Sequence, residues 1–115
     1  MAIKELTIAK GKLNKFMPFA FEKATKAADG FQVNVHREND ECMVVLVHNT
    51  DEAARSFTVK KPDSGCYYAA SVDEVYQVPA GEMAFFRFEK AKWVNKKGII
   101  TFIPETAAVK VAVLG

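Results

Sequence analysis

The sequence has few of the residues on which disulfide-rich and metal-binding proteins depend. Its 115 residues include two cysteines and two histidines. Two cysteines form at most one intramolecular bridge, and a chain of this length has enough apolar residues to build a core without it. We therefore interpret Cys42 and Cys66 as reduced thiols and predict that the fold requires no disulfide.

Long hydrophobic runs and a strong charge of one sign are also missing. No stretch reaches the roughly 18 to 20 apolar residues of a membrane helix, and the first residues, MAIKELTIAKGK, lack the apolar core of a secretion signal. The formal charge of +2, from 16 basic and 14 acidic residues, is too small for a typical nucleic-acid interface. We expect a protein made and kept in the cytoplasm, without a membrane or nucleic-acid partner.

The cysteines and histidines are not spaced as metal ligands. Cys42 and His48 lie six residues apart on a predicted strand, which separates their Cα atoms by about 20 Å. A blue-copper site would need several ligands close together near the C-terminus, and after Cys66 only Met83 could serve. The sequence predicts no metal site, with Cys42 buried and His48 a polar residue at the end of a strand.

Motifs for catalysis and phosphate binding are absent as well. There is no G-x-S-x-G elbow, no G-x-x-x-x-G-K loop and no G-x-G-x-x-G loop. The stretch DSGCYY places Ser64 and Cys66 on either side of Gly65, which is typical of a turn rather than of a nucleophile beside its base. We predict that the protein is not an enzyme and has no cofactor.

What the sequence does contain is an alternation of apolar and polar residues. Apolar residues make up 50% and charged residues 26%, as in ordinary soluble domains. A period of two, typical of half-buried strands, runs through FQVNVHR (31–37), RSFTVK (55–60) and AVKVAVLG (108–115). The runs CMVVLVH (42–48) and MAFFRFE (83–89) are apolar at both parities, which suits a central strand covered on both faces or a strand of a sandwich interior.

Turn-forming residues separate these runs at intervals of about 10 to 15 residues. They are Asp29-Gly30, Glu38-Asn39-Asp40, Asn49-Thr50-Asp51, Pro62-Asp63-Ser64-Gly65, Pro79-Ala80-Gly81, Asn95-Lys96-Lys97-Gly98 and Pro104-Glu105. Short strands at this spacing predict one all-β domain, residues 1–115, with about seven to nine largely antiparallel strands. We expect an antiparallel β-sandwich or a small jelly-roll-like barrel.

Three shorter features refine this prediction. The segments EKATKAA (22–28) and TDEAAR (50–55) are polar and run into turns or strands, so each should form one helical turn at most. Pro18 cannot donate to a β-ladder and therefore predicts an edge strand or the start of a strand.

The stretch from residue 76 to residue 98, YQVPAGEMAFFRFEKAKWVNKKG, concentrates aromatic and cationic residues. Most of it is explained as a strand, a Pro-Ala-Gly turn, a second strand and a lysine-rich bend. Trp93 has two interpretations: it stacks on a sugar or base, or it caps one end of the core beneath lysine side chains. The second is the commoner arrangement.

The order of these motifs resembles small structural proteins encoded beside the capsid genes of tailed bacteriophages. The resemblance rests on LVHNTDEAARSFTVKKPDSG, on YQVPAGEMAFFRFEKAKWVNKKG and on a final valine-alternating strand, and it extends from MAIKELTIAKG across nearly the whole chain. The loop KPDSGCYYAA departs from the pattern, because it carries two tyrosines and a cysteine where small residues are expected.

The resemblance implies a head-decoration or auxiliary capsid protein with a β-sandwich fold, no catalytic residues and no cofactor. Its partner would be the major capsid protein, and its location would be the capsid surface of the virion. It would also partner itself as a homo-oligomer, with a trimer as the first expectation. Candidate contacts are aromatic or apolar residues of the first 20 residues and of two loops: Phe16, Met17, Phe19, Tyr67, Tyr68 and Trp93.

Two other functions fit the same strand pattern. A carbohydrate-binding module would use Trp93, Tyr67, Tyr68 and Tyr76 as a stacking platform, which requires coplanar exposed rings on one face. A phage tail or baseplate subunit would differ from a capsid protein only in its place on the particle.

Overall fold

The computed structural model describes residues 3–39, 41–64 and 67–115, and the regular structure there is almost entirely β-strand. Nine strands and one helical turn follow one another along these ranges. They are β1 (Lys4–Glu5), β2 (Ile8–Ala9), β3 (Phe31–Asn34), β4 (Val44–Asn49), β5 (Arg55–Val59), β6 (Glu74–Val78), β7 (Met83–Phe86), α1 (Lys90–Trp93), β8 (Ile99–Pro104) and β9 (Val109–Leu114). The predicted all-β fold is confirmed.

The strands form two sheets that pack face to face as a β-sandwich. The first sheet has the order β1-β3-β8-β5-β6, and the second has the order β2-β9-β4-β7. Long strands pair antiparallel, as expected. The short β1 and β2 instead pair in parallel with β3 and β9, which the alternation pattern did not predict.

One hydrophobic core fills the space between the sheets. Because neighbouring strand residues point to opposite faces, every second residue of β3, β4, β8 and β9 is buried. The rings of Phe57 and Phe102 stack with their centroids 5.5 Å apart. Each fully buried valine or phenylalanine contributes about 1.5–3 kcal/mol relative to an exposed one. These strands therefore carry most of the stability.

The two open sides of the sandwich differ. On one side, residues 4–9 cross from the first sheet to the second, with Leu6 buried between them and its N–H donating to the Gln32 carbonyl at 2.9 Å. On the other side, β6 and β7 are the outermost strands of their sheets. The Pro79–Glu82 turn joins them, with the Glu82 N–H donating to the Pro79 carbonyl at 3.1 Å. On the first side the segment between β1 and β2 fills the gap between the sheets, whereas on the second side a cleft remains between β6 and β7.

Glycines occupy two turns that other residues would strain. Gly30 has a φ of 71°, and a Cβ there would lie 2.2 Å from the carbonyl oxygen of Phe102. Gly98 has a φ of 82°, and its Cβ would lie 2.5 Å from the Cβ of His36. Both glycines were predicted as turn residues, and the close approach of another segment, β8 for Gly30 and the turn after β3 for Gly98, adds a second reason for each.

Some sequence predictions were wrong in detail. The strand β7 is not covered on both faces, because it lies at a sheet edge with Met83 and Phe85 exposed. Pro18 lies in a loop rather than in a strand. As predicted, neither polar segment exceeds one helical turn, because both form turns and bends; the helical turn α1, which was not predicted, lies in the lysine-rich bend. In the described ranges, no helix has the length and apolarity needed to cross a membrane.

Candidate partner-binding surface

A loop near the N-terminus, residues 10–21, exposes several large apolar side chains. We call it the N-terminal loop. Its ends are fixed: the Gly11 N–H donates to the Gly115 carbonyl at 3.0 Å, and the Glu22 N–H donates to the Val111 carbonyl at 2.7 Å. Between these anchors the predicted contact residues Phe16, Met17 and Phe19 are exposed, together with Leu13. Sequence reasoning missed Leu13.

The tip of the N-terminal loop is a tight turn. The Lys15 N–H donates to the Lys12 carbonyl at 3.2 Å, and Asn14 has a φ of 59°, a left-handed conformation that asparagine tolerates. This turn projects Leu13, which is 90% exposed, and Phe16, which is fully exposed. Exposed side chains of this size are costly to leave in water, and their grouping indicates a contact surface.

The predicted contact residues Tyr67 and Tyr68 lie in the connection between β5 and β6. Their side chains are 93% and 74% exposed, and the two rings meet edge to face with centroids 5.3 Å apart. The backbone on each side of them is held, because the Lys96 N–H donates to the Ser64 carbonyl and the Ala70 N–H donates to the Lys92 carbonyl, both at 2.8 Å. The tyrosines therefore project from a fixed base.

Trp93 is not part of an exposed surface. It is 6% exposed and lies at the end of α1, where its ring packs edge-on against Phe86 with centroids 6.1 Å apart. The ammonium of Lys92 lies 5.6 Å from the centre of the indole ring. The core-capping interpretation of Trp93 is thus the correct one, and Trp93 is removed from the candidate contacts.

The N-terminal loop and the tyrosines lie at the same end of the sandwich, the end that carries α1. Glu38 connects the loop to this end, since its carboxylate accepts from Lys10 Nζ at 2.8 Å and its carbonyl accepts from Lys90 Nζ at 2.8 Å. The tyrosine segment joins it through the Ala70–Lys92 hydrogen bond. We call this region the α1 end. Several exposed lysines lie here: Lys61, Lys92, Lys96 and Lys97.

The opposite end of the molecule is fixed by an arginine between two carboxylates. Arg55 Nε lies 2.8 Å from Asp51 and its Nη1 lies 3.1 Å from Glu105. The hydrogen bond from Arg55 lowers the pKa of Asp51, with help from the Glu52 N–H. The pKa of Glu105 is lowered first by the Ser56 N–H and then by Arg55. This cluster joins the β4–β5 connection, the start of β5 and the β8–β9 connection, and it is well suited to a structural role.

An apolar cleft between β6 and β7 was not predicted. It has a volume of about 450 Å³ and opens on the side where both sheets have free edges. Core residues form its floor, and Met83 and Phe85, 66% and 71% exposed, stand on its rim. The feature of the sequence that could have indicated the cleft is the run MAFFRFE, which has apolar residues at both parities. Such a run belongs either to a strand buried on both faces or to a strand whose exposed apolar face contacts a partner.

The cysteines and histidines do not form a metal site in the described part of the chain. No three Cys, His, Asp or Glu side chains there are grouped to hold an ion. Cys42 is exposed rather than buried, because it lies in a turn where its N–H donates to the Asn39 carbonyl. His48 is half-buried in β4, with its ring 5.5 Å from that of Phe21. The predictions for Asp40, Gly65 and Cys66 concern positions outside the described residues.

The arrangement is therefore a rigid β-sandwich with exposed apolar and aromatic residues at one end, and an apolar cleft along one side. Exposed apolar groups of this kind are typical of surfaces that contact another macromolecule. Comparisons of the chain with protein-family models, with curated proteins and with solved structures found no match.

Proposed function

We propose that this protein is a structural component of a tailed-phage particle that binds the outside of the assembled capsid and reinforces it. The observation that carries the proposal is that two separate segments of the α1 end expose large apolar or aromatic side chains: Phe16, Met17 and Phe19 in the N-terminal loop, and Tyr67 and Tyr68 in the connection between β5 and β6. The resemblance of the motif order to capsid-associated phage proteins supplies the kind of partner.

The physical properties of the molecule support a role in reinforcement. A capsid repeats each surface site many times, so a modest contact per copy adds up to a large stabilisation of the shell. Such a role needs a rigid body and a contact patch, and it needs neither catalysis nor a cofactor. The tyrosines have the apolar body and polar end that interface anchors usually combine.

The lysines of the α1 end suggest which surface the coat protein presents. Lys61, Lys92, Lys96 and Lys97 are exposed around the tyrosine segment. Opposite charges across an interface accelerate association and fix the orientation of the partners. We therefore propose that the tyrosines contact an apolar patch with an acidic rim on the major capsid protein. The protein would be made in the host cytoplasm and then bind the capsid surface.

A carbohydrate-binding role finds less support. The required platform is a set of coplanar exposed rings, whereas the rings of Tyr67 and Tyr68 are inclined at 89° and Trp93 is buried. Tyr76 belongs to β6, at the cleft rather than beside the tyrosine pair. A tail or baseplate subunit would use the same contact surface, so this role differs from the capsid role only in the part of the particle to which the protein binds.

The experiment mixes purified protein with capsids that lack it, and follows binding by electron microscopy and by the temperature at which capsids break open. We expect added density at symmetry-related positions and a higher disruption temperature. The double variant Tyr67→Ser/Tyr68→Ser should bind at least about tenfold more weakly, because exposed aromatics at an interface often carry 2 kcal/mol or more.

Val75→Ser is the matched control, because Val75 is an exposed apolar residue of β6 that does not line the cleft. It should bind as well as the unaltered protein. Absence of density on capsids, or density on tails alone, would disprove the capsid proposal. Normal binding by the tyrosine variant would show that the capsid contact lies elsewhere on the protein.

A further inference from the structure

The cleft between β6 and β7 exposes residues that a β-sandwich normally covers. Its floor includes Val47, Phe57 and Val59, which belong to the core, and its walls are the two outermost strands. A free strand edge beside apolar side chains invites pairing with another chain. On the other side of the sandwich, residues 4–9 fill the corresponding position. No described segment of this chain fills the corresponding position between β6 and β7.

The N-terminal loop has the complementary properties. Its tip presents Leu13 and Phe16, which the described part of the chain leaves almost entirely exposed to water. Three lysines and no acidic residue lie between residues 10 and 21. Lys12 and Lys15 form no ion pair among the residues that the structure describes. The tip is thus both apolar and positively charged.

The cleft has one acidic side chain in its lining, Glu74, whereas the tip carries lysines. Glu74 points to the same face of the first sheet as Val59, with which it is paired. Glu82 lies in the turn that joins β6 to β7. In the described ranges Glu74 also lacks an ion-pair partner. A lysine-flanked apolar segment is therefore the kind of occupant that this cleft fits, and the chain itself contains one.

The loop does not occupy the cleft of its own molecule. It is anchored to β9 and to the chain end at Gly115, and Pro18 and Phe19 lie against Leu114 there. The loop therefore lies at the β2 edge of the second sheet. The strand β7 forms the opposite edge, three strand spacings or about 14 Å from β2. Loop and cleft thus face different directions, and a contact between them joins two copies.

We propose that the tip of the N-terminal loop inserts into the β6–β7 cleft of a second copy of this chain, with Leu13 and Phe16 on its apolar floor and Lys15 beside Glu74. Two different surfaces meet in such a contact, so it is heterologous and repeats from copy to copy. It gives a ring if the rotation between copies closes, and an open filament if it does not. The inference does not depend on the phage proposal, and it leaves Tyr67 and Tyr68 exposed for another partner.

The first test measures molar mass by light scattering and sedimentation over a range of protein concentrations. We expect a mass that rises with concentration to a multiple of the chain mass. Phe16→Ser and Glu74→Lys should each weaken this association by about tenfold or more, as loss of a central contact does. Lys15→Glu should weaken it too, and Lys15→Glu combined with Glu74→Lys should recover part of it. Val75→Ser is the control that should leave it unchanged.

The second test fixes the geometry by cross-linking, in a background where both cysteines are replaced by serine. Leu13→Cys and Met83→Cys are prepared as separate proteins and mixed under mild oxidation. We expect disulfide-linked pairs in the mixture and few in either protein alone, because the contact joins loop to cleft. Circular dichroism and thermal unfolding of each variant verify that it is folded.

A chain that remains monomeric at every concentration would overturn the proposal. So would an association that folded Phe16→Ser and Glu74→Lys variants leave unchanged, or preferential cross-linking of Met83→Cys with itself, which would indicate edge-to-edge pairing. Capsid binding by the folded, monomeric Glu74→Lys variant would separate the two proposals, because this variant keeps every residue assigned to the capsid contact while it removes a charge of the cleft.

Discussion

At the residue scale, a buried asparagine explains one of the turn motifs. Asn49, fully buried at the end of β4, donates from Nδ2 to the carbonyls of Ala53 and Val78, both at 2.9 Å. Its Oδ1 accepts from the Asp51 N–H at 3.0 Å. One side chain thereby satisfies backbone groups of two connections that meet at this end of the sandwich. An apolar residue of similar size would leave them unpaired.

We predict that Asn49→Ala lowers the free energy of unfolding by about 2–3 kcal/mol, because buried polar groups left without a partner cost about 1–3 kcal/mol. Urea unfolding followed by circular dichroism measures the change. Asn39→Ala is the control: Asn39 makes the same kind of turn bond, to the Glu41 N–H, but it is exposed. It should lose less than about 1 kcal/mol. Equal losses in the two variants would show that the burial of Asn49 has no special effect.

Residue types alone predicted the turns but not their connections. The asparagine at residue 49 was assigned to a turn because asparagine favours one. That its side chain reaches Val78, 29 positions along the chain, follows from how the sheets meet. Trp93 had the same limitation, because its spacing is compatible with a stacking platform and with a core cap. Only the packing against Phe86 decides between them.

At the scale of elements, the strands from β3 to β9 were predictable, whereas the short edge strands β1 and β2 and the exposed position of β7 were not. Alternation identifies β3, β5 and β9, because burial on one face imposes a period of two. The run that forms β7 is apolar at both parities, and this pattern cannot distinguish a doubly covered strand from an exposed edge that awaits a partner. The exposed surface features were predictable to a similar extent. The exposed aromatic residues could be named from the sequence, whereas the cleft could be recognised only from the order of the strands in both sheets.

The Arg55 cluster gives the connections at one end a pH dependence. Folding lowers the pKa of Asp51 and of Glu105 from ordinary values of 3.8 and 4.5. A carboxylate with a lowered pKa stabilises the fold above its unfolded pKa, and this contribution is lost as the pH falls through the folded value. Stability should therefore decline as the pH falls below about 4.5.

We predict that Arg55→Gln reduces this acid sensitivity, because both carboxylates lose the cation that helps to lower their pKa. The measurement is the urea midpoint from neutral pH down to below the ordinary pKa of aspartate. Some sensitivity should remain, since the pKa of Asp73 is lowered mainly by the Lys61 N–H and then by Lys60. Arg37→Gln is the control, because Arg37 is exposed and forms no ion pair among the described residues. An unchanged pH profile in Arg55→Gln would contradict the assigned cause.

At the scale of the whole molecule, stability is unevenly distributed between the two sides. The strands β9 and β4 have neighbours on both edges and pair with each other over six residues. The strand β6 has one neighbour, and four of its five residues are exposed. Local opening costs least where few apolar contacts are lost. The free edges that leave the cleft available are thus also the parts of the sandwich that open most readily.

We predict that amide hydrogen exchange in dilute protein is slowest in β4, β8 and β9 and markedly faster in β6 and in the N-terminal loop. The interior strands lose buried apolar area and two ladders when they open, whereas β6 loses one ladder and little buried area. Mass spectrometry of peptides after timed exchange gives the comparison.

In concentrated protein, exchange in β6, β7 and the loop tip should slow together, and it should remain fast in Phe16→Ser. Exchange in dilute protein that is as slow in β6 as in β9 would contradict the uneven distribution. Slowing with concentration that also occurs in Phe16→Ser would show that another surface mediates self-association, since that variant lacks the side chain assigned to the cleft.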